Sequence, residues 1–398
     1  MSAVLPIAVL ITPVLPLPGG SGRALRAWDW LCELSRDHAV HVLVAAPAST
    51  VPAPPPHYPA ADVRALGEVT RVTARYRRLL GLLFPPAAFI SRRFVLDWQV
   101  PAQGFAEAAG RGLVWPAVRR IVVFRLYLRD LGVFLSRYCP TVELELDLDD
   151  LESHTRLSVA ASLLRGRRYR AAARMLASAA QYRLVEQGLG RRCRTLYLAA
   201  PEDCRHLSRR TSADVACRPN RMRMPADVAP PPRPGELRLL FVGTLDYPPN
   251  EEAARDLAQR LVPILRARLE RPWRLVVVGS HAAPELAGLL RRTAEIEFIA
   301  EAADLPGLYA ASHVVLVPVR AGGGTKFKTL EGFAYRRPVV STRHGVRGLA
   351  ARPGEHYLPA ETAAEFAAAI HRLAGDPPLA ERIAEAGRRL CYSEYRVP

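Results

Sequence analysis

Short β-branched apolar runs alternate along this chain with stretches whose apolar positions recur every three to four residues, the pattern of βα units that build a parallel sheet. In the first half, 7–11 predicts a strand, 22–36 a helix and 40–45 the next strand, with further strands at 121–126, 141–148 and 195–199. Between these, 60–120 is less regular. After Pro225 comes a stretch holding Pro230, Pro231, Pro232 and Pro234, stiff and polyproline-like as linkers are. Beyond it the alternation resumes. Strands are predicted at 237–242, 274–278, 296–299, 314–317 and 339–342, and helices at 250–269, 283–292, 304–310, 328–335, 363–374 and 378–390.

The pattern predicts an α/β protein of two Rossmann-like, doubly wound domains facing one another across a cleft, with ligands at the carboxyl ends of the strands. The N-terminal domain is expected over 1–224, the linker over 225–236, the second domain over 237–390 and a short tail over 391–398. A chain of 398 residues suits two domains of ordinary size. Its 49% hydrophobic and 23% charged residues are those of a globular protein, with no run near the ~20 apolar residues of a membrane span. The apolar stretch 3–17 lacks a basic leader and carries Pro6, Pro13 and Pro16, so it reads as a first buried strand and its loop rather than a signal peptide. The six cysteines, Cys32, Cys139, Cys193, Cys204, Cys217 and Cys391, form no C-x-x-C pair, which predicts reduced thiols and a cytoplasmic protein.

The formal charge of +17 asks for an acidic partner: nucleic acid, an anionic membrane or a phosphorylated substrate. The positive charge is dispersed and no recognition motif accompanies it, which argues against nucleic acid. Of the 55 basic residues only two are lysines, Lys326 and Lys328. Two compact ammonium groups within three residues, in a chain that otherwise uses arginine, mark a site. They lie in Ala321-Gly322-Gly323-Gly324-Thr325-Lys326-Phe327-Lys328-Thr329-Leu330-Glu331, between a predicted strand ending at Pro318 and a predicted helix. Three glycines let the backbone approach a ligand closely, and the helix start adds partial positive charge, an arrangement suited to a diphosphate. Lys328, with Lys326, is expected to neutralise its oxygens, and Glu331, one turn into the helix, to accept hydrogen bonds from ribose or sugar hydroxyls.

Residues 237–389 resemble the C-terminal domain of family 4 glycosyltransferases over nearly their whole length. The matching residues are Phe241-Val242-Gly243 with Pro249-Asn250, Val277-Val278-Gly279, Tyr309-Ala310-Ala311, Val317-Pro318, the glycine loop with Lys328 and Glu331, Arg337-Pro338-Val339-Val340-Ser341-Thr342, Gly345, Gly348-Leu349 and Gly387-Arg388. The resemblance implies the GT-B fold, a nucleotide-sugar donor, retention at the anomeric carbon and no required metal or other cofactor. It implies donor contacts from Gly243, Thr244, Asn250, Gly279, Pro318, Gly322, Gly323, Gly324, Thr325 and Lys326, ribose contact from Glu331 and diphosphate contact from Lys328. Many members carry a second glutamate where this chain has Gly323, and Arg and Lys where it has Thr244 and Asn250. A branch with Gly-Gly-Gly-Thr and a lysine three before the glutamate is more similar, and there Lys328 serves as the replacement cation.

The first half resembles the family more loosely, through Pro18-Gly19-Gly20-Ser21-Gly22 with Arg26 and through Asp147-Leu148-Asp149-Asp150-Leu151-Glu152-Ser153. The resemblance places Gly20, Ser21, Gly22 and Arg26 near the donor phosphates and the acceptor. The Asp147-x-Asp149 spacing invites a divalent metal, but it does so in a single-domain fold that has no such C-terminal half, so no metal is expected. Asp149 and Asp150, at a strand's carboxyl end, suit binding or deprotonation of an acceptor hydroxyl, with His154 beside them. Arginines flank an apolar run in 71–94, which suits either a packed core segment or peripheral docking on the inner face of an anionic membrane that presents a lipid-linked acceptor. The expected activity is transfer of a hexose-type unit to a glycan, lipid-linked or small-molecule hydroxyl, as in polysaccharide biosynthesis. A nucleotide-sugar epimerase or hydrolase on the same fold stays open, as does a nucleotide-sugar-binding protein without turnover.

Overall fold

The computed structural model describes residues 5–46, 48–66, 113–139, 141–191, 193–226, 228 and 235–397. The basic apolar segment 71–94 lies outside them, as do Pro230, Pro231, Pro232 and Pro234 of the linker. Two compact units emerge, Met1–Leu157 with Arg170–Arg221, and Ser158–Tyr169 with Met222–Pro398.

The first unit is built on a seven-stranded sheet in the order β3-β2-β1-β4-β5-β6-β7, every pair parallel. The strands are β1 (Ile7–Thr12), β2 (Ala39–Val44), β3 (Asp62–Ala65), β4 (Val118–Phe124), β5 (Glu143–Asp149), β6 (Thr195–Leu198) and β7 (Asp214–Cys217). Alternate residues of β1 serve opposite cores: Val9 and Ile11 pack with Val123 and Leu146, whereas Ala8 and Leu10 pack with Trp30 and Val42. A strand buried on both faces must be apolar at every position, which is why β1 is a continuous run. Helices α1 (Gly22–Leu34), α2 (Arg129–Leu135), α3 (Glu152–Arg165), α4 (Tyr169–Gln187) and α5 (Pro201–Ser208) connect the strands.

The second unit has six parallel strands in the order β10-β9-β8-β11-β12-β13. They are β8 (Leu237–Val242), β9 (Trp273–Val278), β10 (Ile296–Ile299), β11 (Val314–Val317), β12 (Val339–Ser341) and β13 (Leu358–Pro359). Strand order reverses between β8 and β11, so their loops part and leave a crevice at the carboxyl ends. Helices α6 (Pro248–Asp256), α7 (Val262–Arg268), α8 (Pro284–Arg292), α9 (Leu305–Ala311), α10 (Phe327–Ala334), α11 (Ala363–Gly375) and α12 (Pro377–Glu394) complete it. The expected single helix over 250–269 is interrupted by a π turn at Leu257–Leu261, where Val262 N–H reaches back to Leu257. Pro263 follows at once, and a proline there can neither donate to nor fit against the carbonyl four residues back, so the turn widens.

One expectation is overturned. Cys204 and Cys217, expected as free thiols, are joined by a disulfide with Cα atoms 6.0 Å apart. Parallel pairing sets Cys217 opposite Leu198 at the ends of β7 and β6, and Cys204 lies in α5, which connects those strands. The bridge therefore follows from strand pairing, and their 13-residue separation carries none of the short-spacing patterns by which cysteines are paired in a sequence. Cys32, Cys139, Cys193 and Cys391 are free.

Candidate functional site

The crevice of the second unit is shaped by glycines. Gly279 ends β9, and a Cβ there would run into the carbonyl oxygen of Gly243 and approach Leu245 within 2.8 Å. Gly243 ends β8, and its own Cβ would stand 2.7 Å from Lys328 Nζ and 2.9 Å from the Asn250 amide. The missing side chain is thus the space an ammonium occupies. Lys328 donates from Nζ to Asn250 Oδ1 at 2.8 Å, and Asn250 Nδ2 donates to the Thr244 carbonyl at 2.9 Å. The same Nζ lies 4.6 Å from the centre of the Phe241 ring. Glu331 follows one turn later on α10 and accepts from the Tyr309 hydroxyl at 2.6 Å.

Burial, with the nearby charge of Lys326, pulls Lys328 down to about 7 despite the carboxylate of Glu331. Burial also raises Glu331, against the Tyr309 hydrogen bond and the Lys328 charge, which lower it. Lys328 therefore holds its proton weakly, and an anion bound beside it would strengthen that hold.

Above this pair runs the glycine loop. Gly322 adopts φ +109° and Gly324 φ +60°, backbone conformations that side chains disfavour. A Cβ on Gly322 would also collide with the hydroxyl of Tyr247. Lys326 Nζ donates back to the carbonyls of Gly323 at 2.5 Å and Gly324 at 3.1 Å, so it holds the loop's shape. Lys326 is also the N-cap of α10 and supplies no side-chain acceptor to the helix start. The first amides of α10 thus face the loop beside Lys328. Thr325 is buried, Pro318 closes β11, and Thr329 Oγ1 fixes the helix to the carbonyl of Gly345 at 2.7 Å.

Three residues join this site beyond those expected of it: Tyr247, His344 and Tyr309, the last standing in a matching motif but with no expected role. Tyr309 is fully buried and stacks on Tyr335 with centroids 5.0 Å apart, which fixes the hydroxyl that holds Glu331. His344 is pushed down to about 4, chiefly by burial and by Lys326, and interacts with the Ala321 and Gly322 backbone. It stays neutral beside the loop.

In the first unit, the residues at the carboxyl ends of β4 and β5 form one ionic cluster. Arg26 is 2% exposed and grips Asp147 with two bonds, Nε to Oδ2 at 2.7 Å and Nη2 to Oδ1 at 2.8 Å. Its Nη1 donates to Asn220 Oδ1 and the Arg218 carbonyl. Asp147 also takes the Trp30 indole N–H at 2.6 Å and the Asp149 amide at 2.9 Å, so its oxygens are occupied by protein donors. Asp149 (φ +65°) and Arg125 (φ +90°) both adopt left-handed backbone and meet at 3.0 Å. Such strain in non-glycine residues is characteristic of sites held for function. Arg125 further binds Asp150 at 3.1 Å and Glu152 at 2.9 Å, and burial raises Asp149.

The remaining residues singled out from the sequence stand apart from that cluster. Gly20 (φ +95°) is exposed, Ser21 caps α1 by accepting from the Ala24 amide at 3.3 Å, and Gly22 opens the helix. His154 pairs with Asp203 at 3.0 Å and lies edge-on to His206 rather than joining Asp149 and Asp150.

Residues 236–376 match the model of the family described as Glycosyl transferases group 1. No curated protein matches the chain in sequence. Among solved structures, sucrose-phosphate synthase from Thermosynechococcus elongatus is similar at TM-score 0.68 and 16% identity, covering 98% of this chain and 95% of that one. HepE of Anabaena, in complex with UDP and glucose, is similar at TM-score 0.61 and 14% identity, over 98% and 96% of the two chains. A trehalose-phosphate synthase from Burkholderia xenovorans, in complex with glucose-6-phosphate, gives 0.58 and 16% over 98% and 97%. At these identities the likeness speaks for the fold. The glycine-shaped crevice of the second unit therefore lies within the residues that match the Glycosyl transferases group 1 model, in a chain of GT-B fold.

Proposed function

We propose that the protein transfers a sugar, with retention, from a nucleoside diphosphate to a hydroxyl of a glycan, lipid-linked or small-molecule acceptor, as family 4 members do. The observation that carries this reading is the seating of Lys328 in the space left by Gly243, one helical turn from Glu331 and beneath the glycine loop. Breaking the bond between sugar and diphosphate leaves growing negative charge on the terminal phosphate. An ammonium and backbone amides already in place stabilise that charge more than they stabilise the bound donor. Glu331, held by Tyr309, accepts from the ribose hydroxyls. The chemistry asks for no protein nucleophile: the acceptor attacks from the face the leaving group departs, and the phosphate oxygen takes its proton. Asp149 and Asp150 orient the acceptor hydroxyl. No metal enters this scheme, and the activity is proposed to serve polysaccharide assembly.

Two measurements test the donor site. A nucleoside diphosphate or its sugar at about 100 times its dissociation constant will stabilise the folded protein by ~2.7 kcal/mol. Lys328→Ala and Glu331→Ala will abolish that shift. A folded protein that no nucleotide stabilises refutes the assignment. Product analysis then separates transfer from donor hydrolysis, epimerisation and binding without turnover.

The second measurement uses pH. Burial holds Lys328 at about 7 against an ordinary value of 10.5, and a bound diphosphate favours its charged form. Affinity will therefore weaken as pH rises above 7, by up to about tenfold per unit. Binding will also take up a proton, read by calorimetry in buffers of different ionisation enthalpy. In Lys328→Met the extra uptake will vanish, and an unchanged uptake would assign the proton elsewhere. Folding follows the opposite trend for this group. Between about 7 and 10.5 the unfolded chain holds more protons, so the cost of burying the ammonium is full below pH 7 and is relieved above it.

A further inference from the structure

Helix α4 is apolar on two faces. Ala172, Ala179, Tyr182 and Val185 are buried. On a different side, Tyr169, Leu176 and Leu184 are 64%, 44% and 43% exposed, and Ala173 and Ala180 complete a stripe at three- and four-residue spacing. At 100° per residue, Arg170 and Arg174 lie along one side of this stripe and Arg183 along the other. All three arginines are exposed, and none is ion-paired among the described residues.

The surrounding sequence is as unusual. From Ser153 to Val185 there are seven arginines and not one aspartate or glutamate. Five of the ten large hydrophobic side chains exposed among the described residues fall in this same run: Leu157, Leu164, Tyr169, Leu176 and Leu184. The one glutamate of α4, Glu186, is buried, so the exposed face of the helix presents leucine and arginine to water with no acidic side chain, in a chain with 38 acidic residues. The charge also selects among occupants. A second copy meeting this face would bring arginine against arginine, whereas an anionic bilayer offers counter-charge at the headgroups and hydrocarbon for the stripe.

We propose that the exposed face of α4 is a membrane-docking surface that lies in the headgroup region of an anionic bilayer, with Tyr169, Leu176 and Leu184 inserted and Arg170, Arg174 and Arg183 on the lipid phosphates. The surface is distinct from the donor crevice, and its test uses no nucleotide, so each reading stands or falls alone. No helix among the described residues is long and apolar enough to cross a membrane, so this contact is peripheral.

The test is co-sedimentation of the full chain with vesicles of phosphatidylcholine alone or with about 30% phosphatidylglycerol. Binding is expected only to the anionic vesicles and is expected to be lost at ~0.5 M salt. Leu176→Ser with Leu184→Ser should weaken it by about tenfold or more. Arg170→Glu with Arg174→Glu and Arg183→Glu should weaken it by about a hundredfold, each arginine near the surface being worth about fivefold. Both variants change exposed residues, and an unshifted melting temperature will confirm that they fold. The proposal is overturned if the folded protein ignores anionic vesicles, or if both variants bind as the parent does. It is equally overturned if light scattering shows a dimer that Leu176→Ser with Leu184→Ser dissolves.

Discussion

Lys328→Ala will lose about a hundred- to a thousandfold in kcat/KM with its fold intact, the loss expected when one preorganised donor to a developing anion is removed. The neighbouring cation cannot substitute, because Lys326 is committed to the carbonyls of Gly323 and Gly324. Lys328→Arg will rescue little. The ammonium sits where a Cβ on Gly243 would come within 2.7 Å, a space too small for a planar guanidinium. The loss should fall on KM as well as kcat, since the ammonium both holds the diphosphate of the bound donor and meets the charge that grows in the transition state. Initial rates of nucleoside diphosphate release measure it. A change below about threefold would remove Lys328 from the chemistry.

The largest effect on stability is expected at Arg26. Arg26→Ala will destabilise the protein by ~3–5 kcal/mol, the cost of leaving a buried carboxylate without its partner. Asp147 is fully buried, and Arg26 supplies two of its four hydrogen bonds. Adding Asp147→Asn will recover part of the loss, because a neutral amide needs no counter-ion. Urea unfolding of the parent, the single variant and the pair measures both. If the double variant is no more stable than Arg26→Ala, lost packing rather than stranded charge is the cause.

The second sheet was legible in the sequence almost to the residue: β8, β10 and β11 occupy the predicted spans 237–242, 296–299 and 314–317. Residues 239–242, 275–278 and 314–317 are short unbroken apolar runs, each followed at once by glycine or proline. Helices α3 and α4 were not legible, because α4 is apolar on two faces with arginines between and so has no single amphipathic stripe. In the site, Lys328 and Glu331 could be read as neighbours, three apart on one helix. The groups that hold them could not. Tyr309 lies 22 residues from Glu331 in the chain, and Arg26 lies 121 from Asp147. Such pairings are decided by strand order, which local pattern does not encode.

The scarcity of lysine has a practical side. Besides the α-amino group, the only aliphatic amines in 398 residues belong to Lys326 and Lys328, both at the glycine-shaped crevice. One of them titrates at about 7, so near neutral pH a substantial part of it is the free, nucleophilic base. Acylating reagents that decorate most proteins at random find only these two side chains to modify in this one. The chain thus carries a built-in reporter handle, whose labelling rate, and its suppression by an occupying ligand, can be followed on the unmutated protein by intact mass.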